Sequence, residues 1–396
     1  MIVIHIFTIL LFVYLLLTIP YLFILAVAGR FGRLKSYTAH PRKARIAVII
    51  PSYKEDNIIV ETAAHALAHD YPGENFTVTV IADHLNKTTI DRLRALPVHT
   101  LEVNWQKSMK AKSLNAALSA LAGDQYDLAF ILDADNLMSP GCLEKVNHAF
   151  QTGWTAIQCH RSAKNRNTPI AVLDAMSEEI NNTIFRRGQR ALGLSCALIG
   201  SGMAFEFHLL KEIFASPAIQ DNPGEDKEVE VRLIGKGLRV EYIEDAYVYD
   251  EKVQRKEVFQ KQRTRWLATQ FENIKPLLSK EMRSKAIKTV YLHKIFEWLL
   301  LPRLLLVLLV SLLLLLCGID AWTGAHILSP AWPWWTIPAI LYALTLASAI
   351  PSSFYNSRTL AALLQVPTLI LAMLKALLGI RKNKGGFLHT PKEFSG

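Results

Sequence analysis

The chain has 396 residues, more than the roughly 100–200 of one ordinary soluble domain. Hydrophobic residues make up 51% and charged residues 20%, which excludes a disordered chain. The formal net charge of +10 suits a membrane surface, an anionic substrate or nucleic acid, and the placement of the cations decides among them. Residues 1–29 carry no Asp, Glu, Lys or Arg and are long enough to cross a bilayer as a helix. They lack the basic start of a signal peptide. Arg30, Arg33, Lys35, Arg42, Lys43 and Arg45 follow without an acidic residue among them. The positive-inside rule puts this flank in the cytosol.

Residues 44–250 are expected to form one α/β domain. The runs 45–50 (RIAVII), 76–82 (FTVTVIA) and 128–132 (LAFIL) are apolar and rich in β-branched residues, as buried parallel strands are. Helical stretches at 58–69 and 110–121 alternate with them, which predicts a doubly wound parallel sheet. Ligands of such sheets bind beyond the carboxyl ends of the strands. Those ends are polar here: Pro51-Ser52-Tyr53-Lys54-Glu55, Asp83-His84 and Asp133-Ala134-Asp135. No GxGxxG follows the first strand, and GxxxxGK[ST] is absent, so no glycine-rich phosphate cradle is indicated. A DxD pair can instead hold Mg²⁺ or Mn²⁺ and bridge it to a diphosphate. Taken alone, such a pair is more often a solvated turn. The four cysteines, Cys142, Cys159, Cys196 and Cys317, contain no CxxC pair, against a disulfide scaffold or zinc ribbon.

Residues 251–297 read as an amphipathic connector at the membrane interface. Lys252, Arg255, Lys256, Lys261, Arg263 and Arg265 make its first part strongly basic. Residues 298–380 are expected to hold membrane or interfacial helices, with spans near 298–319 and 334–356. The last stretch, 359–380, is interrupted by Pro367 and Lys375 and followed by Arg381, Lys382 and Lys384 of a basic tail, 381–396. Three full crossings would carry those cations outside, so this stretch is expected to lie in the interface or to re-enter.

In chain order the motifs are VIIPSYKED (48–56), VIADH (80–84), KAKSLNAAL (110–118), FILDADN (130–136), IGSGM (199–203), GEDKEVEVRL (224–233) and QKQRTRW (260–266). The set resembles the family 2 glycosyltransferases, in the membrane-embedded branch of the cellulose, chitin and hyaluronan synthases. The resemblance covers residues 44–270. It implies a GT-A (Rossmann-like) glycosyltransferase domain flanked by transmembrane helices, a nucleotide-diphosphate sugar donor, a divalent metal and inverting transfer. The family's PAYNE is PSYKE here, and His84 stands where Asn or Asp-Gly is common.

The resemblance gives each motif a role. Asp83 accepts a hydrogen bond from the base, uracil, beside Pro51, Tyr53 and Glu55; a helix N-cap is the competing reading of Asp83. Lys112 neutralises phosphate or holds the ribose; Lys110 and Lys112 read otherwise as surface residues. Asp133 holds the ribose edge, and Asp133 and Asp135 hold Mg²⁺ or Mn²⁺, Asp135 first. Inversion needs one carboxylate at the acceptor hydroxyl to take its proton, a role for Asp226, with Glu225 and Glu228 as neighbours that compete for it. Gly200, Ser201 and Gly202 allow close approach of backbone to a sugar. Gln262, Arg265 and Trp266 are spaced to share one helix face. Trp266 offers a stacking surface at the acceptor, and Arg263 and Arg265 can contact the diphosphate.

The resulting expectation is an integral membrane, metal-dependent glycosyltransferase with its catalytic domain in the cytosol. It would move a hexose or N-acetylhexosamine from a UDP-sugar to a lipid-linked or growing saccharide. The alternatives are a processive synthase that also translocates its polymer, and a non-catalytic UDP-binding membrane subunit. No nucleic-acid motif accompanies the charge, so no nucleic-acid partner is expected.

Overall fold

The computed structural model describes residues 2–279 and 287–379, so the expected basic tail, with Arg381, Lys382 and Lys384, lies outside the described residues. Among the described residues eight strands form one sheet: β1 (Ile46–Tyr53), β2 (Phe76–Asp83), β3 (His99–Val103), β4 (Leu128–Ile131), β5 (Leu137–Met138), β6 (Ala156–Ala163), β7 (Met203–Glu206) and β8 (Glu241–Asp250). Their order is β3-β2-β1-β4-β7-β6-β8-β5. The half from β3 to β4 is parallel, as its apolar runs predict.

The other half corrects the expectation of an all-parallel sheet. β7 runs antiparallel to both β4 and β6, and β5 antiparallel to β8. The reason is local. Met203 pairs with Ile131, so the chain arrives at the carboxyl end of β4 through Gly200–Gly202 and can only descend.

Alternation along the strands feeds two cores. Ile46, Val48, Ile50, Val80 and Phe130 pack under the helices Ile59–Leu67 and Cys142–Gln151. Ala47, Ile49, Ile81, Ile131 and Phe205 pack under Lys110–Ala120, Phe207–Phe214 and Glu225–Gly235. Period-two burial thus puts the helix that carries Lys110 and the helix that carries Asp226 on one face.

Among the described residues, two helices are long and apolar enough to cross a membrane, Ile2–Phe31 and Arg303–Thr323. The second starts later than expected because Pro302 separates it from a short helix, Lys288–Trp298. The helix Pro333–Ala349 lies against the first span, with the rings of Phe12 and Trp335 5.1 Å apart. It also ends short of the expected 356, stopped by Pro351 and a 3₁₀ turn at Ser352–Phe354. Ser357–Leu363 and Val366–Gly379 then form a pair bent by 46°, in the shape of a broken span or re-entrant loop.

The first span is clamped to the α/β domain by glycine. A Cβ on Gly29 would lie 2.1 Å from the carbonyl oxygen of Thr183, and one on Gly188 2.2 Å from that of Leu25. Thr183–Gly188 is a π-helical segment that continues the helix Pro169–Asn182.

Candidate active site

The carboxyl ends of β1, β2 and β4 meet at one edge. Tyr53 and Asp83 are the last register partners of β1 and β2. The N–H of Leu132 donates to Ile49 O (3.0 Å), which holds the following loop, 133–136, beside β1. Ser201 pins that loop: its Oγ accepts from the N–H of Asp133 (2.9 Å) and from Asn136 Nδ2 (2.7 Å). Buried Gln158 holds the glycine turn from beneath. Its Nε2 donates to Ser201 O (2.9 Å) and Gly202 O (3.1 Å), while its Oε1 accepts from the N–H of Ile199 (3.1 Å).

Gly200 and Gly202 both have left-handed backbone (φ 84° and 63°), which side chains disfavour. A Cβ on Gly202 would sit 3.0 Å from Val248. A Cβ on Gly200 would look into the charged centre, 3.6 Å from Lys110 Nζ, 3.9 Å from Asp226 Oδ2 and 4.0 Å from Glu225 Oε1.

Lys110 is the hub of that centre. Its Nζ donates to Asp133 Oδ1 (2.5 Å) and to Gly200 O (2.6 Å), and lies 3.3 Å from Glu225 Oε1. Burial alone would lower its pKa; the carboxylates of Asp133 and Glu225 outweigh burial and hold the ammonium above the ordinary lysine value. Burial pushes the Glu225 carboxyl up, with Lys110 opposing and Asp226 and Asp133 adding to the rise. The acidic neighbours thus separate by partner. Glu225 faces Lys110, and Glu228 accepts from Arg232 Nε (2.8 Å). Asp226 accepts only from the N–H of Lys227 (2.8 Å) among the described residues.

At the other end of the edge, Asp83 is buried and is not an N-cap. It ends β2, and the following helix, Lys87–Arg94, is preceded by Asn86. His84 Nδ1 lies 2.6 Å from Asp83 Oδ1, and its ring meets Tyr53 edge-on at 5.6 Å. Lys54 Nζ is 5.2 Å from the Tyr53 ring centroid. Lys54 and His84 both take left-handed backbone (φ 57°). His84 therefore fills, at a conformational cost, a position that suits Gly or Asn.

Asp135 is buried in the same loop, its Oδ2 accepting from the N–H of Glu251 (3.3 Å). Next to it lies a buried ionic floor. Arg161 donates to Glu178 (2.7 Å) and to Ile199 O (3.1 Å); Lys252 pairs with Asp250 (2.7 Å); Arg186 pairs with Glu178 (3.0 Å). Arg263 belongs to this layer. It donates to Asp174 Oδ1 (2.6 Å), and its guanidinium lies 4.6 Å from the Phe259 ring and 4.2 Å from the Trp266 ring. Gln262 and Arg265 are half-buried on the same helix, Lys256–Leu277, and Trp266 is exposed.

The family model described as "Glycosyltransferase like family 2" matches residues 41–269, more than half of the chain and all of the site. The chain belongs to this family. It is similar to an N-acetylglucosaminyltransferase of Rhizobium leguminosarum bv. viciae, 21% identical over 304 residues, which cover 74% of this chain and 69% of that protein. In fold it is similar to the mannosyltransferase PcManGT of Pyrobaculum calidifontis, solved in complex with GDP-Man and Mn²⁺. The TM-score is 0.59 at 17% identity, over 96% of this chain and 99% of that one. The molecule is thus a nucleotide-sugar glycosyltransferase of family 2, with a GT-A-like domain and candidate membrane helices on either side.

The family 2 domain places the residues expected from sequence as follows. Asp133, Gly200 and Asp226 meet around Lys110, Ser201 pins the Asp133 loop, and Gly202 packs against Val248. Pro51, Tyr53, Glu55 and Asp83 line the edge beside it, and Asp135 faces the ionic floor. Lys112 turns away from the centre and pairs with Asp221 (3.0 Å), which is mostly exposed. The lysine that enters the centre is Lys110. Arg161, Glu178, Asp250 and the clamp Gln158 are further site residues that sequence reasoning did not single out.

Proposed function

We propose that this glycosyltransferase moves a hexose or N-acetylhexosamine, with inversion, from a UDP-sugar to a hydroxyl of a lipid-linked or growing saccharide at the cytosolic membrane face. The observation that carries the proposal is the gathering of Asp226, Glu225, Lys110 and Asp133 around Gly200. That centre holds one carboxylate, Asp226, without an ion pair among the described residues, beside a fixed ammonium. Asp226 would take the proton of an acceptor hydroxyl as the general base. Lys110 carries fixed positive charge where an anion would leave, and it needs no reorganisation to act. Gly200 leaves the surface open to a sugar because any side chain there would occupy the charged centre. The name of the Rhizobium relative supports an N-acetylhexosamine; the GDP-Man complex of the Pyrobaculum enzyme leaves the base to the test.

Asp133 and Asp135 offer hard oxygen ligands two residues apart in one loop, Asp133 beside Lys110 and Asp135 beside the N–H of Glu251. Among the described residues no group of three or more His, Cys, Asp or Glu could hold an ion unaided. Such a pair fits Mg²⁺ or Mn²⁺, which commonly take one or two carboxylates and complete their shell with substrate phosphates and water. The bound ion would neutralise the leaving diphosphate. Asp135 is the principal ligand of the proposal, because Lys110 already holds one oxygen of Asp133.

The test is a panel of UDP- and GDP-sugars with Mn²⁺ or Mg²⁺, with products weighed by mass spectrometry. A UDP-hexose or UDP-N-acetylhexosamine should be consumed, EDTA should stop the reaction, and Asp135→Ala should abolish it with the fold intact. Full turnover in excess EDTA would sink the metal, and exclusive use of GDP-sugars would sink the uridine donor.

A further inference from the structure

Outside the site lies a second buried ionic group that the chemistry above does not use. Lys294, on the short helix Lys288–Trp298, has a wholly buried side chain. Its Nζ lies 2.6 Å from Glu230 Oε1, also wholly buried, and 2.7 Å from Glu297 Oε2. Glu230 Oε2 is 3.1 Å from Lys227 Nζ. Lys227 Nζ in turn donates to the carbonyl of Leu198 (3.1 Å). Glu297 Oε2 accepts from Nε2 of buried Gln189 (2.6 Å). Two ammoniums and two carboxylates thus balance, with Lys294 and Glu230 wholly buried and Lys227 at the half-exposed edge.

The position of this group gives it meaning. Lys227 and Glu230 stand on the helix Glu225–Gly235, whose first turn carries Asp226. Leu198 directly precedes the turn Ile199–Gly202 that faces Asp226. One ionic group therefore grips both walls of the charged centre. Its other end grips the membrane part. His293 Nε2 is 2.8 Å from the hydroxyl of Tyr21, and Phe296 meets the Tyr21 ring edge-on at 4.8 Å. Tyr21 belongs to the first span, and the short helix leads through Pro302 into the second. Val231, Leu277, Tyr291 and Trp298 pack the apolar rim.

Buried ion pairs are weak sources of net stability, because desolvation offsets their attraction, but they are strict about geometry. We infer that Lys294 is a positioning residue for the transferase reaction. Through Glu230 and Lys227 it sets Asp226 against Gly200, and through Glu297, Gln189 and its own helix it makes that setting depend on how the membrane helices are seated. This rests on the transferase reading above and adds to it a dependence of catalysis on the membrane part.

The experiment compares wild type, Lys294→Met and the double variant Glu230→Gln/Lys294→Met in bilayer nanodiscs. It measures kcat, donor KM and thermal unfolding. It also measures the distance distribution between spin labels at Lys236 and Arg33, both exposed. Lys294→Met leaves Glu297 without its cation and buried Glu230 with Lys227 alone, so its unfolding midpoint should fall. The double variant removes one of those charges and should recover most of the midpoint. In both variants kcat should drop about 10²-fold, the cost of a misplacement near 1 Å. Donor KM should move less than about twofold, and the spin-label distances should broaden. Recovery of kcat along with the midpoint in the double variant would make the group merely structural and overturn the inference. So would a loss confined to KM, or unchanged distances. Absence of turnover in wild type with every nucleotide sugar would instead overturn the transferase reading and this inference with it.

Discussion

Asp226 differs from its acidic neighbours in what it touches. Glu225 faces Lys110 and Glu228 holds Arg232, so both are committed to cations, while Asp226 keeps one oxygen toward Gly200. Asp226→Asn preserves size and cannot accept a proton at neutral pH. Transfer should fall by about 10²–10⁴-fold while donor binding, read by calorimetry, persists. Near-normal transfer would pass the role to Glu225 or Glu228. The motif GEDKEVE makes Asp226 legible in the sequence, but not the reason it is preferred. That reason lies in contacts with Lys110 and Arg232, and Lys110 is more than a hundred residues away in the chain. The choice between Lys110 and Lys112 shows the same limit. Residues two apart on a helix face different ways. Only the packing of Lys110–Ala120 on the sheet decides that Lys110 looks inward and Lys112 toward Asp221. His84 departs from the family's pattern, and the structure supplies its consequence: a left-handed residue whose ring braces Asp83 and Tyr53.

At the scale of elements, the apolar runs make β1, β2 and β4 legible, because buried parallel strands need unbroken apolar sequence on both faces. β7 is hidden. Its four residues follow a glycine turn and carry no alternation long enough to read, and their direction is set by the turn over β4. Also hidden is the docking of the first span, which depends on two glycines far apart in sequence, Gly29 and Gly188, meeting backbone to backbone. The π-helical turn between Thr183 and Gly188 continues the helix that carries Glu178 and Asp174, which ties the span to the ionic floor. Gly188→Ala would put a methyl group 2.2 Å from the Leu25 carbonyl, where only backbone could yield. We expect a loss of about 1–3 kcal/mol from overpacking, measured by chemical or thermal unfolding in detergent. Gly73→Ala is the control. It has open space around it and ordinary backbone, and should stay within about 0.5 kcal/mol of wild type. Equal effects at the two positions would deny the clamp.

For the whole molecule, the helices and the charges agree on one orientation. The N-terminal end of the first span meets the loop after Arg303–Thr323: His5 Nε2 lies 3.1 Å from His326 O, and the N–H of Ser329 donates to Thr8 Oγ (3.1 Å). These two ends therefore share a side. Trp322, Trp332 and Trp334 are exposed around that loop, as aromatic residues at a membrane–water boundary are. Arg30, Arg33 and Lys35 are exposed at the opposite end of the first span, next to the catalytic domain. Cations favour the cytosolic side, so the domain is expected there and the tryptophan loop outside. The four native cysteines are all buried, which keeps the labelling background low even before they are replaced. A single cysteine at exposed Asn86, beside the site, should resist an impermeant thiol reagent in intact cells and react after permeabilisation. A single cysteine at exposed Ala325 should react in intact cells. The paired result matters because nucleotide sugars are made in the cytosol. Labelling at position 86 with protection at 325 would invert the molecule and separate the site from its donor.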